Sequence, residues 1–132
     1  MPSSTLAPGL PRVVFIIPCF NHGQFVQDAV RSALIQEGAD IRVVVVDDGS
    51  NDGTTPSACD GCRLIERGDG PLRVHIVHQS NAGLPAARNA GVRAAEAFAP
   101  EHDLLVFLDA DDYVEPSFVR KLCAKLAGTD PL

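Results

Sequence analysis

Residues 41–55 read IRVVVVDDGSNDGTT. Five of the first six are β-branched aliphatics in a near-continuous run, without the alternation of a strand that has one wet face. Such a run suits a strand covered on both sides, as in a parallel sheet flanked by helices. At Asp47 the character changes at once. Asp47, Asp48 and Asp52, with Gly49 and Gly53, make the next stretch a turn. In an open α/β sheet, ligands bind beyond the carboxyl ends of the strands. The adjacent carboxylates of Asp47 and Asp48 therefore stand where a ligand is expected, and like charges so close need a cation or a set of donors among them.

Three further apolar runs lie on either side: VVFII at 13–17, ended by Pro18, LRVHIV at 72–77 and DLLVFL at 103–108. Helical spacing fills the intervals. Over 24–37, Phe25, Ala29 and Ala33, with Val26, Val30 and Leu34, recur at i, i+4, and Gly38 supplies a stop. Thr55-Pro56 reads as the cap and first turn of a helix through Arg67, closed by Gly68. Pro85 opens a third helix that Pro100 ends, and Pro116 opens a fourth with Phe118, Leu122 and Leu126 on one face. The order is strand then helix, four times over, with short connections. That order predicts parallel strands joined by right-handed crossovers.

The chain has 132 residues, enough for one domain with a real core. A formal net charge of -6 argues against a nucleic-acid backbone as partner, because phosphate contacts need clustered Lys and Arg. No apolar run approaches the roughly 20 residues that span a bilayer. MPSSTLAPGLPR lacks the apolar core of a signal peptide, so residues 1–11 read as a flexible tail and 12–132 as the domain. Of the cysteines, Cys59 and Cys62 form a CxxC, yet no second CxxC or HxxxH completes a four-ligand zinc site. The pair also falls inside the second helix, where reduced cytosolic thiols are the expectation.

Four polar segments follow the four strands: PCFNHG, DDGSNDGT, HQSNAGLPAARN and DADDY. Their meeting at one edge is the main functional signal. Asp109-Ala110-Asp111 is a D-x-D, a spacing that lets two carboxylates reach one divalent cation from a turn. Hard oxygen ligands favour Mg2+ or Mn2+, ions usually shared with substrate phosphates. Asp52 reads rather as a cap or turn former. Neither GxGxxG nor GxxxxGK[ST] occurs, so phosphate would be held by metal, by backbone N–H groups at Gly83, or by Arg88.

These pieces, in this order, resemble the N-terminal, nucleotide-sugar-binding half of a family 2, GT-A type glycosyltransferase. The matching stretches are VVFIIPCFNHGQFVQDAVRSALIQ, VVVVDDGSNDGT, NAGLPAARNAG and FLDADD, which together cover roughly residues 13 to 120. The resemblance implies a Rossmann-like α/β fold, a mostly parallel sheet in a three-layer α/β/α arrangement. It implies that Pro18, Phe20 and Asn21 border the nucleotide base, that Asp48 accepts from the N–H of a uracil-like base, that Asp47 holds the loop or the ribose, and that Gly49 and Gly53 allow the sharp turn and close approach of the base. Asn81, Gly83, Arg88 and Asn89 would lie beside ribose and diphosphate, with Arg88 reading equally as a helix residue bonded to the aspartate loops. Asp111 would be the primary metal ligand, Asp109 would reach ribose or metal, Ala110 would lie against the nucleotide, and Asp112 would stand behind them. The implied activity is transfer from a sugar nucleotide, UDP-sugar favoured, to a hydroxyl of a saccharide, lipid or protein. A metal stabilises the departing diphosphate, and a general base deprotonates the acceptor.

Domains of that family run to ~200 residues or more, within the usual range for domains, and this sequence ends soon after the D-x-D. The expectation is a donor-binding half without the acceptor-side residues, whose exposed sheet edge favours self-association. No catalytic base is assigned, and nothing marks His22, His75, His78 or His102 for the role. Two other readings fit the residues: a module that holds a nucleoside diphosphate and transfers nothing, and a receiver-like phospho-acceptor domain. The second is weaker, because the acidic pair follows the second strand and no suitably placed Lys follows. Sugar nucleotides and reduced thiols both point to the cytoplasm, with a longer parent free to associate with a membrane.

Overall fold

In the computed structural model of the protein, which describes residues 9–65 and 72–128, four strands form one sheet. The elements run β1 (Arg12–Cys19), α1 (Gly23–Leu34), β2 (Asp40–Asp48), α2 (Thr55–Gly61), a 3-10 turn (Cys62–Ile65), β3 (Val74–Gln79), α3 (Leu84–Phe98), β4 (Leu104–Phe107) and α4 (Phe118–Leu126). All three pairings are parallel, in the spatial order β3-β2-β1-β4. The expected alternation is therefore present. β4 returns to the far side of β1, so the loops that follow β1 and β4 diverge and open a crevice at the carboxyl edge.

The unbroken apolar runs are explained by what covers them. Val13, Phe15 and Ile17, with Ile41, Val43 and Val45, face α1, α2 and α4. Val14, Ile16, Val44 and Val46 face α3. Both faces are dry, so alternation would have been destabilising at every second position. α3 lies on its face through Ala87, Ala90, Gly91 and Ala95. A Cβ at Gly91 would collide with Ile16 Cγ2, which is why glycine stands there.

Several boundaries differ from the sequence expectation. Pro18 does not end the first strand but lies within it, opposite Val46. Ile16 O accepts from Leu108 N on the β4 side, so two residues on, at Pro18, the missing N–H points where β4 has already left. Phe25 was expected on the inward face of α1, yet it is 43% exposed. The buried stripe is Val26, Ala29, Val30 and Ala33. In the first turn the Phe25 ring packs edge-on to His22 at 6.1 Å. The helix also stops at Leu34 rather than at 37. Beyond it Gln36 turns inward: Nε2 donates to Ser32 O (3.1 Å) and Glu115 O (2.6 Å), and Oε1 accepts from Val119 N at 2.8 Å. The end of α1 thereby docks the start of α4.

The second helix is capped by Asp52, not Thr55. Its Oδ1 accepts from the N–H groups of Thr54 and Thr55, and Oδ2 accepts from the Thr55 hydroxyl at 2.6 Å. The Thr55 Oγ1 accepts in turn from Gly23 N, tying α2 to α1. α2 tightens into a 3-10 turn after Gly61, and the expected stop at Gly68 lies outside the described residues. Most of the expected tail, residues 1–8, does too. β3 begins at Val74 rather than 72, and β4 is only Leu104–Phe107. On α4 the buried residue is Val119, while Leu126, expected on the inward face, is 64% exposed. Among the described residues no helix is long and apolar enough to cross a membrane.

Candidate functional site

A cavity of about 510 Å³ occupies the crevice at the carboxyl edge of the sheet. Pro18 and Cys19 line it from the end of β1, Phe20 and His22 from the loop after it, Asp48 from the end of β2, Asn81 and Gly83 from the loop before α3, and Leu84 and Ala87 from the first turn of α3. Asp109, Ala110 and Asp111 close it from the loop after β4. Of the residues singled out in the sequence, Pro18, Phe20, Asp48, Asn81, Gly83, Asp109, Ala110 and Asp111 therefore meet in one place. Asn21, Asp47, Gly49 and Arg88 do not line it.

Asp48 is buried at 4% exposure and its carboxylate is held by four protein donors. Oδ1 accepts from Gln79 Nε2 and Ala82 N, both at 2.9 Å. Oδ2 accepts from Gly83 N at 3.0 Å and from Asn81 Nδ2 at 3.3 Å. The same Asn81 amide also donates to the Asp48 carbonyl at 3.0 Å. Four donors match the roughly four lone-pair positions of a carboxylate, and together they fasten the loop before α3 onto β2. Gly49 makes the approach feasible. Its φ is +70, and a Cβ there would run into Asn81 N.

Asp47, 3% exposed, works in another direction. Oδ1 accepts from Ser50 N at 3.1 Å, and Oδ2 lies 2.8 Å from His78 Nδ1. His78 Nε2 lies 2.7 Å from Asp60 Oδ1. The Asp60 hydrogen bond, and after it the one to Asp47, lift the His78 pKa above its ordinary value of 6.5, against the opposing pull of burial. The turn that Asp47 caps is stitched to the loop after β1. Asn21 N donates to Ser50 Oγ, Asn51 N donates to Asn21 Oδ1, and Asn21 Nδ2 donates to Asn51 Oδ1, all at 2.9 to 3.0 Å. Asn21 adopts φ +59, a conformation asparagine tolerates, which places its amide on that turn.

Asp109, Asp111 and Asp112 are exposed and can bring one carboxylate oxygen each to within 4.8 Å of one another. A turn in which Asp112 N donates to Asp109 O gathers them. Three hard oxygen donors at such spacing fit a divalent cation of the Mg2+ or Mn2+ type. Asp112 joins the two residues that the D-x-D spacing suggests, although it does not line the cavity.

Arg88 sits instead with its guanidinium 5.9 Å from the centre of the Phe107 ring. Its Nε is buried without a hydrogen-bond partner among the described residues. Sequence reasoning missed Cys19, His22, Leu84 and Ala87 as lining residues; the first two lay inside the quoted PCFNHG segment and could have been taken with it. The thiols are free. Cys59 donates to Cys19, which holds Cys19 below the ordinary thiol value and raises Cys59, while burial pushes Cys62 up to about 12. The CxxC pair is buried in the core and is not itself part of the cavity lining.

The sequence model of glycosyl transferase family 2 matches residues 14–131. The chain is 32% identical over 113 residues to an uncharacterized glycosyltransferase, EpsJ, of Bacillus subtilis (strain 168), covering 86% of this chain and 30% of that protein. It is 36% identical over 118 residues to chondroitin synthase of Pasteurella multocida (strain Pm70), covering 88% of this chain and 11% of that one. The chain thus spans about a third or less of the length of these curated relatives. Among solved structures, a mannosyltransferase from Pyrobaculum calidifontis in complex with GDP-Man and Mn2+ superposes with a TM-score of 0.69 at 27% identity, over 94% of this chain and 34% of that one. S. aureus TarS 1-349 in complex with UDP superposes at 0.66 with 23% identity, over 89% of this chain and 32% of the other, and shares the fold.

Proposed function

The chain belongs to glycosyl transferase family 2, and from that premise we propose that these residues form the donor-binding part of a glycosyltransferase. The donor is a nucleoside-diphosphate sugar, with a UDP-sugar favoured, held with Mg2+ or Mn2+ for transfer to an acceptor hydroxyl. One observation carries the reading: a single cavity is walled by the Asp48-anchored loop on one side and by Asp109 and Asp111 on the other. In this reading Asp48 serves as the base-reading carboxylate and Asp109 and Asp111 as the cation-binding pair, in one space of a size that suits a nucleotide.

Pro18 and Phe20 flank the base in this reading. Asp48 accepts the base N–H in exchange for its longest bond, the 3.3 Å contact from Asn81 Nδ2, because that amide keeps the Asp48 carbonyl at 3.0 Å. The N-terminus of α3 faces the cavity with the positive end of its dipole, which suits the diphosphate. Asp111 and Asp109, with Asp112 beside them, would hold the cation. A bound divalent ion supplies charge neutralisation for a departing nucleoside diphosphate. The side chains present bind and orient the donor, and no general base is assigned to them.

Calorimetric titration with UDP, with and without Mn2+, tests the reading. Metal-dependent binding that disappears in Asp111→Ala is the expected result. A folded chain that ignores UDP, GDP and dTDP alike, in the presence of Mn2+, would overturn it.

A further inference from the structure

One line of hydrogen bonds runs from the surface of α2 to the wall of the cavity. It passes from Asp60 to His78 (2.7 Å), from His78 to Asp47 (2.8 Å), from Asp47 to Ser50 N (3.1 Å), and from Ser50 Oγ to Asn21 N (3.0 Å). Asn21 sits between Phe20 and His22, both of which line the cavity. None of the five residues on this line is itself part of the cavity lining. The arrangement is otherwise hard to account for, because Asp47 is nearly dry and the ring beside it is not in the core.

The ring state is decided by its two neighbours. A neutral imidazole has one N–H, so one of its nitrogens would set a lone pair against a carboxylate oxygen at hydrogen-bond distance. Only the imidazolium donates to both. The titratable groups that face the ring are Asp60 from α2 and Asp47 from β2. Behind Asp47 lie the thiols of Cys19 from β1 and Cys59 from α2, and Cys62 feels Asp60 from the adjoining turn.

We propose that His78, as an imidazolium clamped between Asp47 and Asp60, is a positioning residue that sets the cavity wall carrying Phe20, acting through Asp47, Ser50 and Asn21. When the proton leaves, the exposed Asp60 is free to swing into water, whereas buried Asp47 is not. The ring then keeps a single anchor, and Asp47 keeps a neutral donor in place of a cation. The Ser50 turn loosens and the wall moves with it. Nucleotide affinity therefore falls as pH rises through the His78 value. Only that last consequence rests on the donor-binding reading.

The test is an NMR titration of the full chain between pH 5.5 and 9, run on wild type, His78→Asn and His78→Ala (the range brackets the ordinary imidazole value of about 6.5). In wild type the His78 ring signals should titrate above that value. The Ser50 and Asn21 amides and the Phe20 ring should follow with the same midpoint. His78→Asn, which offers Asp47 an uncharged donor, should keep the fold and abolish that shared titration. The dissociation constant for UDP with Mn2+ should rise several-fold across the midpoint in wild type, be independent of pH in His78→Asn, and be about tenfold weaker in His78→Ala, as expected for a lost hydrogen bond to a charged group. Ser50 and Asn21 signals that stay still while His78 titrates would overturn the proposal. So would a UDP affinity in folded His78→Ala equal to that of wild type at pH 6. If wild type binds no nucleotide at any pH, the donor reading fails, and the amide signals alone decide the role of His78.

Discussion

Replacing Asp48 with alanine should unfasten the loop that leads into α3. Four donors lose their acceptor, but not equally. Gln79 Nε2 is a side-chain amide free to turn toward water, and Asn81 Nδ2 retains the Asp48 carbonyl. The N–H groups of Ala82 and Gly83 belong to the backbone and cannot turn away. Each buried donor left without a partner costs about 1–3 kcal/mol. Ala82 is an exposed residue, so its N–H can be resolvated, and half-buried Gly83 bears most of the loss. Relief of repulsion between the neighbouring Asp47 and Asp48 charges offsets a further fraction of a kcal/mol. The net loss should be about 1–2 kcal/mol, against a total of roughly 5–15 kcal/mol that holds an ordinary domain together. Urea unfolding should show a lowered midpoint at unchanged slope, and the Ala82 and Gly83 amides should exchange with solvent much faster than in wild type. A loss below about 0.5 kcal/mol, with both amides still protected, would refute the idea that Asp48 anchors this loop.

Gly91→Ala should lower stability by about 1–3 kcal/mol in the same denaturation assay, because the new methyl meets the fully buried Ile16. Native protein treated with a thiol reagent at pH 8 should leave Cys59 and Cys62 unlabelled until denaturant is added, since both are wholly buried, the hydrogen bond to Cys19 and then burial raise the Cys59 thiol, and burial raises that of Cys62. The folded His78 value is raised, so its contribution to stability is complete below its ordinary value of 6.5 and is lost as pH rises through the folded value. The melting-temperature difference between wild type and His78→Ala should therefore be largest near pH 6 and shrink toward pH 9. A difference that grew with pH would show that the ring is neutral in the folded state.

The strand and helix order was legible because each signal was local. β-branched runs covered on both faces need no alternation, and Gly and Pro mark the joints. The boundaries were not, because long-range partners set them. Pro18 stays in a strand only because β4 departs two residues earlier. Thr55 looks like a cap in isolation, but Asp52 reaches both amides first. Gln36 reads as an ordinary helix residue until α4 lies against it. For the site, the turns that carry Asp48 and Asp109–Asp111 announced themselves by composition. The place of Arg88 was not legible, since a helical arginine beside polar loops gives no sign that its guanidinium will lie over Phe107. His78 was passed over for a related reason. A single histidine says nothing until two carboxylates from other elements flank it.

α3 rests on the sheet through alanine and glycine alone at its closest points. The same helix supplies Gly83, Leu84 and Ala87 to the cavity. The thickness of this small-residue seam is thus a ruler for the depth of the pocket. One methyl group added between helix and strand would raise the pocket floor as well as strain the core. Changes along this seam therefore move folding stability and the depth of the cavity together.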